Sequence, residues 1–190
     1  MENGVVKRRT ILSGGLSGSA LLLGAVSQTR AAQAHPASPR LPDAEYLAIQ
    51  QLYARYCHVL DRGDGEAFAA CFTEDGEFTG GRGPGLAGDV RTPLKGRAVL
   101  AAAGATSGTR HFYANLVLTP TADPNTVKGS VYLLLYTART TPPSFVETAI
   151  YDDTLVRTPE GWKFKKRVVW RDDDDITPFK PKPLAPGQEP

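Results

Sequence analysis

Cysteine and histidine are scarce in this sequence, which has 2 Cys and 3 His among its 190 residues. Zinc sites draw their ligands mainly from these side chains, so we expect no metal centre. Lys and Arg outnumber Asp and Glu only by 22 to 20, and this excess lies before residue 35. The rest of the chain is close to neutral, which gives no electrostatic reason to bind nucleic acid or an anionic membrane surface.

The common nucleotide-binding and hydrolase motifs are missing as well. The sequence has no P-loop, no H-E-x-x-H and no G-x-S-x-G motif. Residues 83–88 match G-x-G-x-x-G, but the surrounding prolines indicate a loop and not the strand and helix that a dinucleotide site requires. The four aspartates at 172–175 are typical of a solvated acidic surface. We therefore expect no cofactor.

No apolar run approaches the roughly 20 residues that a membrane span needs. Residues 1–34 have instead the three parts of a secretory signal. These are a basic start at residues 7–9, a weakly apolar stretch over 11–26 and an A-x-A site at 32–34. The pair Arg8-Arg9 resembles a twin-arginine signal. We expect a periplasmic or secreted protein that is free of the membrane once the signal is removed.

Three parts follow the signal. Residues 35–42, with three prolines, predict a linker, residues 43–171 predict one domain, and residues 172–190 predict a disordered tail that is first acidic and then Pro-rich. Export permits a disulfide between Cys57 and Cys71. Two separate buried thiols are the alternative, because free cysteine is among the most buried residue types.

Helices are predicted at the start of the domain. Apolar residues between Ile49 and Leu60 recur at helical spacing and predict an amphipathic helix over 44–61, with Asp43 as its N-cap. Asp64 then predicts the cap of a second helix. This second helix is predicted over residues 65–72. After it the sequence predicts a strand beginning at 77–79, a loop over 80–96 and a short helix over 97–103.

The second half of the domain is rich in β-branched and aromatic residues. It predicts strands over 110–119, 127–140, 145–157 and 162–171, the last two joined by a tight turn at 158–161. Helices followed by a run of strands predict an α+β fold with segregated layers.

Alternation within two strands assigns their faces. In the last strand, a dry face would hold Trp162, Phe164, Val168 and Trp170, and a wet face would hold Lys163, Lys165, Arg167 and Arg171. In the strand over 127–140, Tyr132, Leu134 and Tyr136 alternate with Val131, Leu133 and Leu135. Both of these faces are apolar. One of them is expected to lie against a second copy of the chain, which predicts a homodimer.

The candidate chemistry centres on His111. With a period of two, His111, Tyr113 and Asn115 point to the same side of their strand. A histidine can transfer protons near neutral pH, and it needs an acid to fix its tautomer. Asp61, at the end of the first predicted helix, is the candidate acid. The alternative is a histidine at a strand edge in water.

Several motifs together resemble SnoaL-like proteins of the nuclear transport factor 2-like superfamily. They are residues 53–64, 71–76 and 109–112, and residues 151–157 leading to 161–164. This superfamily includes scytalone dehydratase, ketosteroid isomerases, polyketide cyclases and dioxygenase small subunits. The resemblance covers residues 43–171 and implies a cone-shaped α+β barrel, in which N-terminal helices close one end of a curved antiparallel sheet.

The resemblance also implies a pocket that contains Asp61 and His111 as catalytic residues. The expected substrate-binding residues are Tyr53, Tyr56, Phe78, Tyr113, Asn115, Leu135, Thr137 and Tyr151. By comparison with scytalone dehydratase, Phe78, Thr137 and Tyr151 stand where that enzyme has Tyr, His and Asn. Half of the polar active-site residues of scytalone dehydratase are thus replaced in this sequence, so we expect a different substrate.

The sequence favours a small-molecule lyase or isomerase in which Asp61 orients His111. Tyr56, Tyr113 and Tyr151 are the candidate hydrogen-bond donors to an enolate oxygen. A mechanism like that of ketosteroid isomerase would instead need a lone carboxylate, for which Asp152 and Asp153 are poor candidates. Two further alternatives are an exported carrier that holds an apolar ligand unchanged and a structural dimeric subunit.

Overall fold

The fold is an α+β arrangement of three helices and one six-stranded sheet, in a computed structural model that describes residues 40–80, 92–106 and 108–172. The elements in chain order are α1 (Asp43–Arg62), α2 (Gly65–Ala70), β1 (Phe72–Thr79), β2 (Leu94–Lys95), α3 (Arg97–Gly104), β3 (Thr109–Pro120), β4 (Thr126–Thr137), β5 (Ser144–Thr158) and β6 (Gly161–Arg171). The predicted fold class is confirmed.

The strand order is β2-β1-β6-β5-β4-β3, with every neighbouring pair antiparallel except β1 and β6, which are parallel. Within the described part of the chain, β2 and β3 are the two edges of this sheet. The sheet is curved, as predicted, and its two edge strands are not paired with each other.

Several predictions fall on residues outside the described ranges. They concern the signal over 1–34, the linker as far as residue 39, most of the loop over 80–96 and the tail beyond Asp172. These stay predictions. Among the described helices, none is long and apolar enough to cross a membrane.

Helix α1 packs its apolar face against the sheet and agrees with the predicted helix to within one residue at each end. Its buried residues are Ile49, Leu52, Tyr53, Tyr56 and Leu60. The predicted N-cap is wrong, because Pro42 occupies the cap position and Asp43 pairs with Arg40 at 2.5 Å. Gly63 ends the helix with a left-handed φ of 72°, a conformation that costs glycine little.

The predicted cap of α2 is confirmed, since the Asp64 carboxylate accepts a hydrogen bond from the Ala67 N–H at 3.0 Å. The helix is shorter than predicted because β1 already begins at Phe72 and not at residue 77. Strand β4 ends at Thr137, three residues early. The predicted turn between the last two strands is confirmed, since β5 ends at Thr158 and β6 begins at Gly161.

A β-bulge in β6 overturns the predicted faces of that strand. Phe164 pairs with Leu155, but the next pair is Lys166 with Thr154, so Lys165 is an extra residue. One inserted residue reverses which side chains face the core. Arg167 and Arg171, expected in water, are both fully buried, whereas Val168 and Trp170 move to the outer face.

The positive charge of Arg167 is compensated inside the core by the carboxylate of Asp153, which lies opposite it on β5. The guanidinium donates two hydrogen bonds to the Asp153 carboxylate, from Nε and Nη2, both at 2.7 Å. The Tyr53 hydroxyl of α1 donates a further one. A buried charge is tolerated only when it is paired and hydrogen-bonded in this way.

Gly129 on β4 makes room for the contact between Tyr53 and Asp153. A Cβ atom at this position would overlap the Tyr53 hydroxyl oxygen. The absence of a side chain at residue 129 thus lets helix α1 reach the buried ion pair.

A second anchor holds the start of α1 against the hairpin of β5 and β6. The Glu45 carboxylate accepts hydrogen bonds from Trp162 Nε1 at 2.5 Å and from Arg157 Nη2 at 2.8 Å. The Arg157 guanidinium also stacks over the Trp162 ring, with 4.8 Å between its Cζ and the ring centroid. The hydrogen bond from Trp162, and then that from Arg157, lowers the pKa of Glu45.

We predict that Gly129→Ala destabilises the protein through Tyr53. Displacing the hydroxyl removes a hydrogen bond from a buried carboxylate, which costs about 1–3 kcal/mol in the free energy of unfolding. Urea unfolding of the single variants and of Gly129→Ala with Tyr53→Phe measures the coupling. In the Tyr53→Phe background, where the hydroxyl is absent, Gly129→Ala should lower the free energy of unfolding by clearly less than it does in the wild type. Equal losses of unfolding free energy in the two backgrounds would contradict the role given to Gly129.

We also predict that Glu45 makes stability depend on acid pH. Its lowered pKa means that its contribution is present above about pH 4.3, the pKa of an unfolded Glu, and is lost as the pH falls through the folded value. Glu45→Gln should therefore flatten the fall in unfolding free energy below pH 5. Glu66→Gln is the control, since that side chain is 76% exposed; equal slopes for the two variants would refute the prediction.

Candidate active site

Asp61 and His111 are in direct contact where the end of α1 meets the start of β3. The distance from Asp61 Oδ1 to His111 Nδ1 is 2.6 Å. The other carboxylate oxygen accepts the backbone N–H of His111 at 3.1 Å. The Asp61 and His111 side chains are 12% and 8% exposed. The carboxylate thus fixes both the main chain and the ring of the histidine.

This contact determines what the imidazole can do. When Nδ1 carries the proton that faces Asp61, Nε2 is the nitrogen left to accept a proton from a ligand. A base whose orientation is set by a third group is the arrangement found in acid/base and nucleophilic sites. The geometry therefore suits a general acid/base.

Tyr56 lies beside His111, and two further predicted tyrosines continue the aromatic row from it. The Tyr56 ring is edge-on to the imidazole at a centroid distance of 6.5 Å and stacks on Tyr113 at 6.2 Å. Tyr113 in turn contacts Tyr151 at 5.3 Å. Tyr53 is different, because its hydroxyl is directed to Asp153 and not towards His111.

Arg167 occupies the centre of this aromatic group. Its Cζ lies 4.0–5.6 Å from the centroids of five rings, those of Tyr53, Tyr56, Tyr113, Tyr151 and Phe164. Its Nη1 donates to the Tyr113 hydroxyl at 2.9 Å. Sequence reasoning missed Arg167 because strict alternation placed it in water. The sequence does indicate an interruption of the alternation, because the adjacent pairs Lys165-Lys166 and Val168-Val169 break the period of two.

The hydroxyls in this interior are donors and not bases. Burial raises the pKa of Tyr56, Tyr113 and Tyr151 well above the usual range, and the nearby Arg167 cation opposes this only in part. The Tyr56 hydroxyl is fully buried and has no hydrogen-bond partner within the described ranges. Burial also raises the pKa of Cys57 to about 12, so its sulfur is a neutral thiol.

Asn115 departs from the predicted alternation. Asn115 and Leu116 together face Val131, which makes a bulge in β3, and Asn115 has a left-handed φ of 58°. Leu116 takes the inward position, and Asn115 is exposed at an open cleft of about 360 Å³ between α1 and β3. The alignment of Asn115 with His111 and Tyr113 is therefore wrong.

The other predicted binding residues are divided between the core and the sheet surface. Phe78 is a core residue at 3% exposure. Leu135 lies directly across from His111 in the neighbouring strand. Thr137 pairs with Thr109, and its hydroxyl donates to the Gly108 carbonyl at 3.4 Å.

Two sequence alternatives do not fit this structure. Cys57 and Cys71 are both free thiols, so the disulfide is not formed. Neither aspartate proposed for an isomerase-type base is a lone carboxylate. Asp153 is bound to Arg167, and Asp152 accepts a hydrogen bond from Trp170 Nε1 at 3.0 Å.

No cluster of three or more His, Cys, Asp or Glu side chains that would suit a metal ion occurs in residues 40–80, 92–106 and 108–172.

Comparisons with solved structures agree with this fold. An NTF2-like protein with a cystatin-like fold from Novosphingobium aromaticivorans is 24% identical, with 70% of this chain and 85% of that chain covered and a TM-score of 0.59. The protein Aln2 from a Streptomyces species is 28% identical over 72% and 95% of the two chains, with a TM-score of 0.58.

A scytalone dehydratase-like protein from Novosphingobium aromaticivorans is 23% identical over 67% and 84% of the two chains, with a TM-score of 0.54. At this identity the likeness concerns the fold alone. No curated protein matches the sequence significantly. The model of the SnoaL-like domain family matches residues 44–168, from the start of α1 into β6. The chain therefore belongs to the SnoaL-like domain family, whose fold is NTF2-like.

Proposed function

We propose that this protein is a cofactor-independent lyase or isomerase that acts on a hydroxylated or enolisable cyclic molecule. The observation that carries the proposal is the two-point contact of Asp61 with the ring and the backbone of His111. Membership of the SnoaL-like family, which is related to polyketide cyclases and dehydratases, supports a small-molecule substrate.

In this proposal, Nε2 of His111 accepts a proton from the carbon next to a substrate carbonyl. The electrons of the broken C–H bond move to the carbonyl oxygen and form an enolate, which a tyrosine hydroxyl stabilises by donating a hydrogen bond. In a dehydration, the enolate then expels a hydroxyl from the β-carbon, and the imidazolium protonates it to give water. In an isomerisation, the same proton returns to another carbon.

Arg167 supports these steps through its contact with the Tyr113 hydroxyl. Its hydrogen bond to Tyr113 is charge-assisted and polarises that hydroxyl, which makes Tyr113 a stronger donor. The Asp153 carboxylate keeps the guanidinium in place. In this role Arg167 is a positioning residue that acts through Tyr113.

We also propose that the protein acts in the periplasm or outside the cell, on the evidence of the signal-like residues 1–34. A second copy of the chain is proposed to cover the outer face of the sheet. That face presents Phe112, Tyr132, Leu134 and Phe145, which are 37–57% exposed. Apolar patches of this kind usually mark an interface.

The catalytic role predicts that His111→Ala lowers turnover by about 10²–10⁴-fold, the usual contribution of positioned proton transfer. Asp61→Asn should cost a similar factor, because the amide does not hold the same tautomer. Turnover is measured on a panel of cyclic hydroxy-ketones by following loss of water or migration of a double bond. His58→Ala is the control, since His58 is exposed on the same helix.

Unchanged turnover in His111→Ala would refute the mechanism. A protein that converts no member of the panel, but releases a bound ligand unchanged, would instead be a carrier. Circular dichroism of each variant separates lost chemistry from lost folding.

The proposed dimer predicts that the wild-type chain sediments as a dimer and that Leu134→Lys sediments as a monomer. A charge on this apolar face would be buried unpaired in the interface, which is strongly unfavourable. Leu47→Lys is the matched control, because Leu47 is 58% exposed on helix α1 and away from the sheet. A wild-type monomer at high concentration would exclude the dimer.

A further inference from the structure

The outer face of the sheet carries an open cleft that the proposed chemistry does not use. The cleft has a volume of about 420 Å³ and is lined by residues of four adjacent strands, β3 to β6. It lies at the end of the sheet near the connection between β3 and β4. The apolar patch that we assign to the dimer is elsewhere on this face, because Leu134 is about 20 Å from Lys128 along β4.

Two rows of paired residues form the floor of the cleft. The first row consists of Lys128, Thr154 and Lys166, on β4, β5 and β6. The second row, two positions along the same strands, contains Ser130 and Asp152. Paired residues point to the same face of a sheet, and each of these five is adjacent in sequence to a buried residue. Both rows therefore point to the outer face.

The first row presents hydrogen-bond donors to the cleft. Lys128 Nζ donates a hydrogen bond to Thr154 Oγ1 at 2.7 Å. Because this oxygen already accepts a hydrogen bond, the Thr154 hydroxyl keeps its own hydrogen for a ligand. The Lys128 ammonium group uses only one of its three N–H donors in the same contact. The centre of the row is therefore suited to an oxygen that carries negative charge.

The carboxylates near Lys166 are already occupied. Glu77, which pairs with Lys166 across β1 and β6, is bound by Lys95 with 2.9 Å between Nζ and Oε1. Asp75 is bound by Lys165, the extra residue of the bulge in β6. Within the described ranges Lys166 itself forms no ion pair, so its charge remains for a ligand in the cleft.

Asp152 adds a negative charge to the same floor. Its Oδ2 accepts a hydrogen bond from Trp170 Nε1 at 3.0 Å, which fixes the carboxylate and leaves Oδ1 to accept a hydrogen bond from a ligand. The two rows are about 7 Å apart along the strands. A simple anion beside the lysines would be repelled by Asp152, whereas a ligand that also carries an ammonium group is attracted by both rows.

We propose that this cleft is a binding site for an acidic amino acid, a ligand with two carboxylates and one ammonium group. Lys128, Lys166 and the Thr154 hydroxyl bind the carboxylates. Asp152 binds the ammonium group. The two lysines and this aspartate match the ligand charge for charge, because the remaining charged residue of the lining, Asp153, is compensated inside the core.

The site is independent of the proposed chemistry. His111 contacts Asp61 on the inner face of the sheet, and the cleft lies on the outer face. Val117 and Val168 continue the second row on its two sides, where they provide apolar contact for the carbon chain of the ligand.

Three related probes test the match of charges. Changes in the amide NMR spectrum of the full-length protein give Kd for L-glutamate, for glutarate and for 4-aminobutyrate, at low ionic strength, where exposed charges are least screened. Glutarate lacks the ammonium group, and 4-aminobutyrate lacks one carboxylate. The wild type should bind L-glutamate about threefold more tightly than either analogue, a factor typical of one partly exposed charge pair. The largest changes should lie around Thr154.

Two variants separate the two kinds of charge. Asp152→Asn should remove the preference for L-glutamate over glutarate, and its amide oxygen can still accept the hydrogen bond from Trp170, which preserves the fold. Lys166→Gln should remove the preference over 4-aminobutyrate. Lys165→Gln is the matched control, because that lysine is bound to Asp75 and does not line the cleft, so both preferences should remain.

Equal binding of the three probes by the wild type, or no spectral change at millimolar concentration, would overturn the proposal. Inorganic phosphate that binds as tightly as L-glutamate would also overturn it, since the cleft would then be a general anion site. Preferences that survive in both Asp152→Asn and Lys166→Gln would place the binding elsewhere. His111→Ala should bind L-glutamate like the wild type, so a failure of the catalytic proposal leaves this one standing.

Discussion

The buried ion pair between Arg167 and Asp153 is the interaction on which the arrangement of the interior depends. It joins β5 to β6 directly, reaches α1 through Tyr53 and reaches β3 through Tyr113. Breaking such a pair by removing one partner typically costs about 3–5 kcal/mol, because the other charge is left buried and uncompensated. The rings of Tyr53, Tyr56, Tyr113, Tyr151 and Phe164 surround the guanidinium and fill the space around it.

Three bulges in the strands shape the inner surface of the sheet. The bulge at Lys165 brings Arg167 and Arg171 inward. Val146 is an extra residue between the pairs Phe145–Tyr136 and Glu147–Leu135, and this second bulge turns Glu147 inward. The third bulge, at Asn115, lies at the cleft beside α1. In regular strands Arg167, Arg171 and Glu147 would face the opposite side of the sheet. The charged side chains of the interior therefore depend on the register of the strands as well as on the amino-acid composition.

The sequence was informative wherever one periodicity ran without interruption. The apolar spacing of α1 located its end, and with it Asp61. The alternation in β4 separated Val131 and Leu133 from Tyr132 and Leu134 but left open which of the two faces is buried, and the structure buries Val131 and Leu133. It failed where a strand gains a residue. The position of a bulge depends on the partner strand, as in the pairing of Asp153 with Arg167, so a doubled pair such as Lys165-Lys166 shows only that the alternation is interrupted. For the same reason the ion pair of Glu147 with Arg171 could not be predicted from alternation.

The parallel pairing of β1 with β6 affects how the chain reaches this structure. Strand β6 is the last described strand in the sequence, yet it lies between β1 and β5 in the sheet. On a ribosome, the helices and β1 emerge long before the strand that joins them to the rest of the sheet. Such long-range pairing slows folding, and apolar surface stays exposed until the partner arrives. The sheet of the nascent domain can therefore be completed only after β6, its last described strand, has been made.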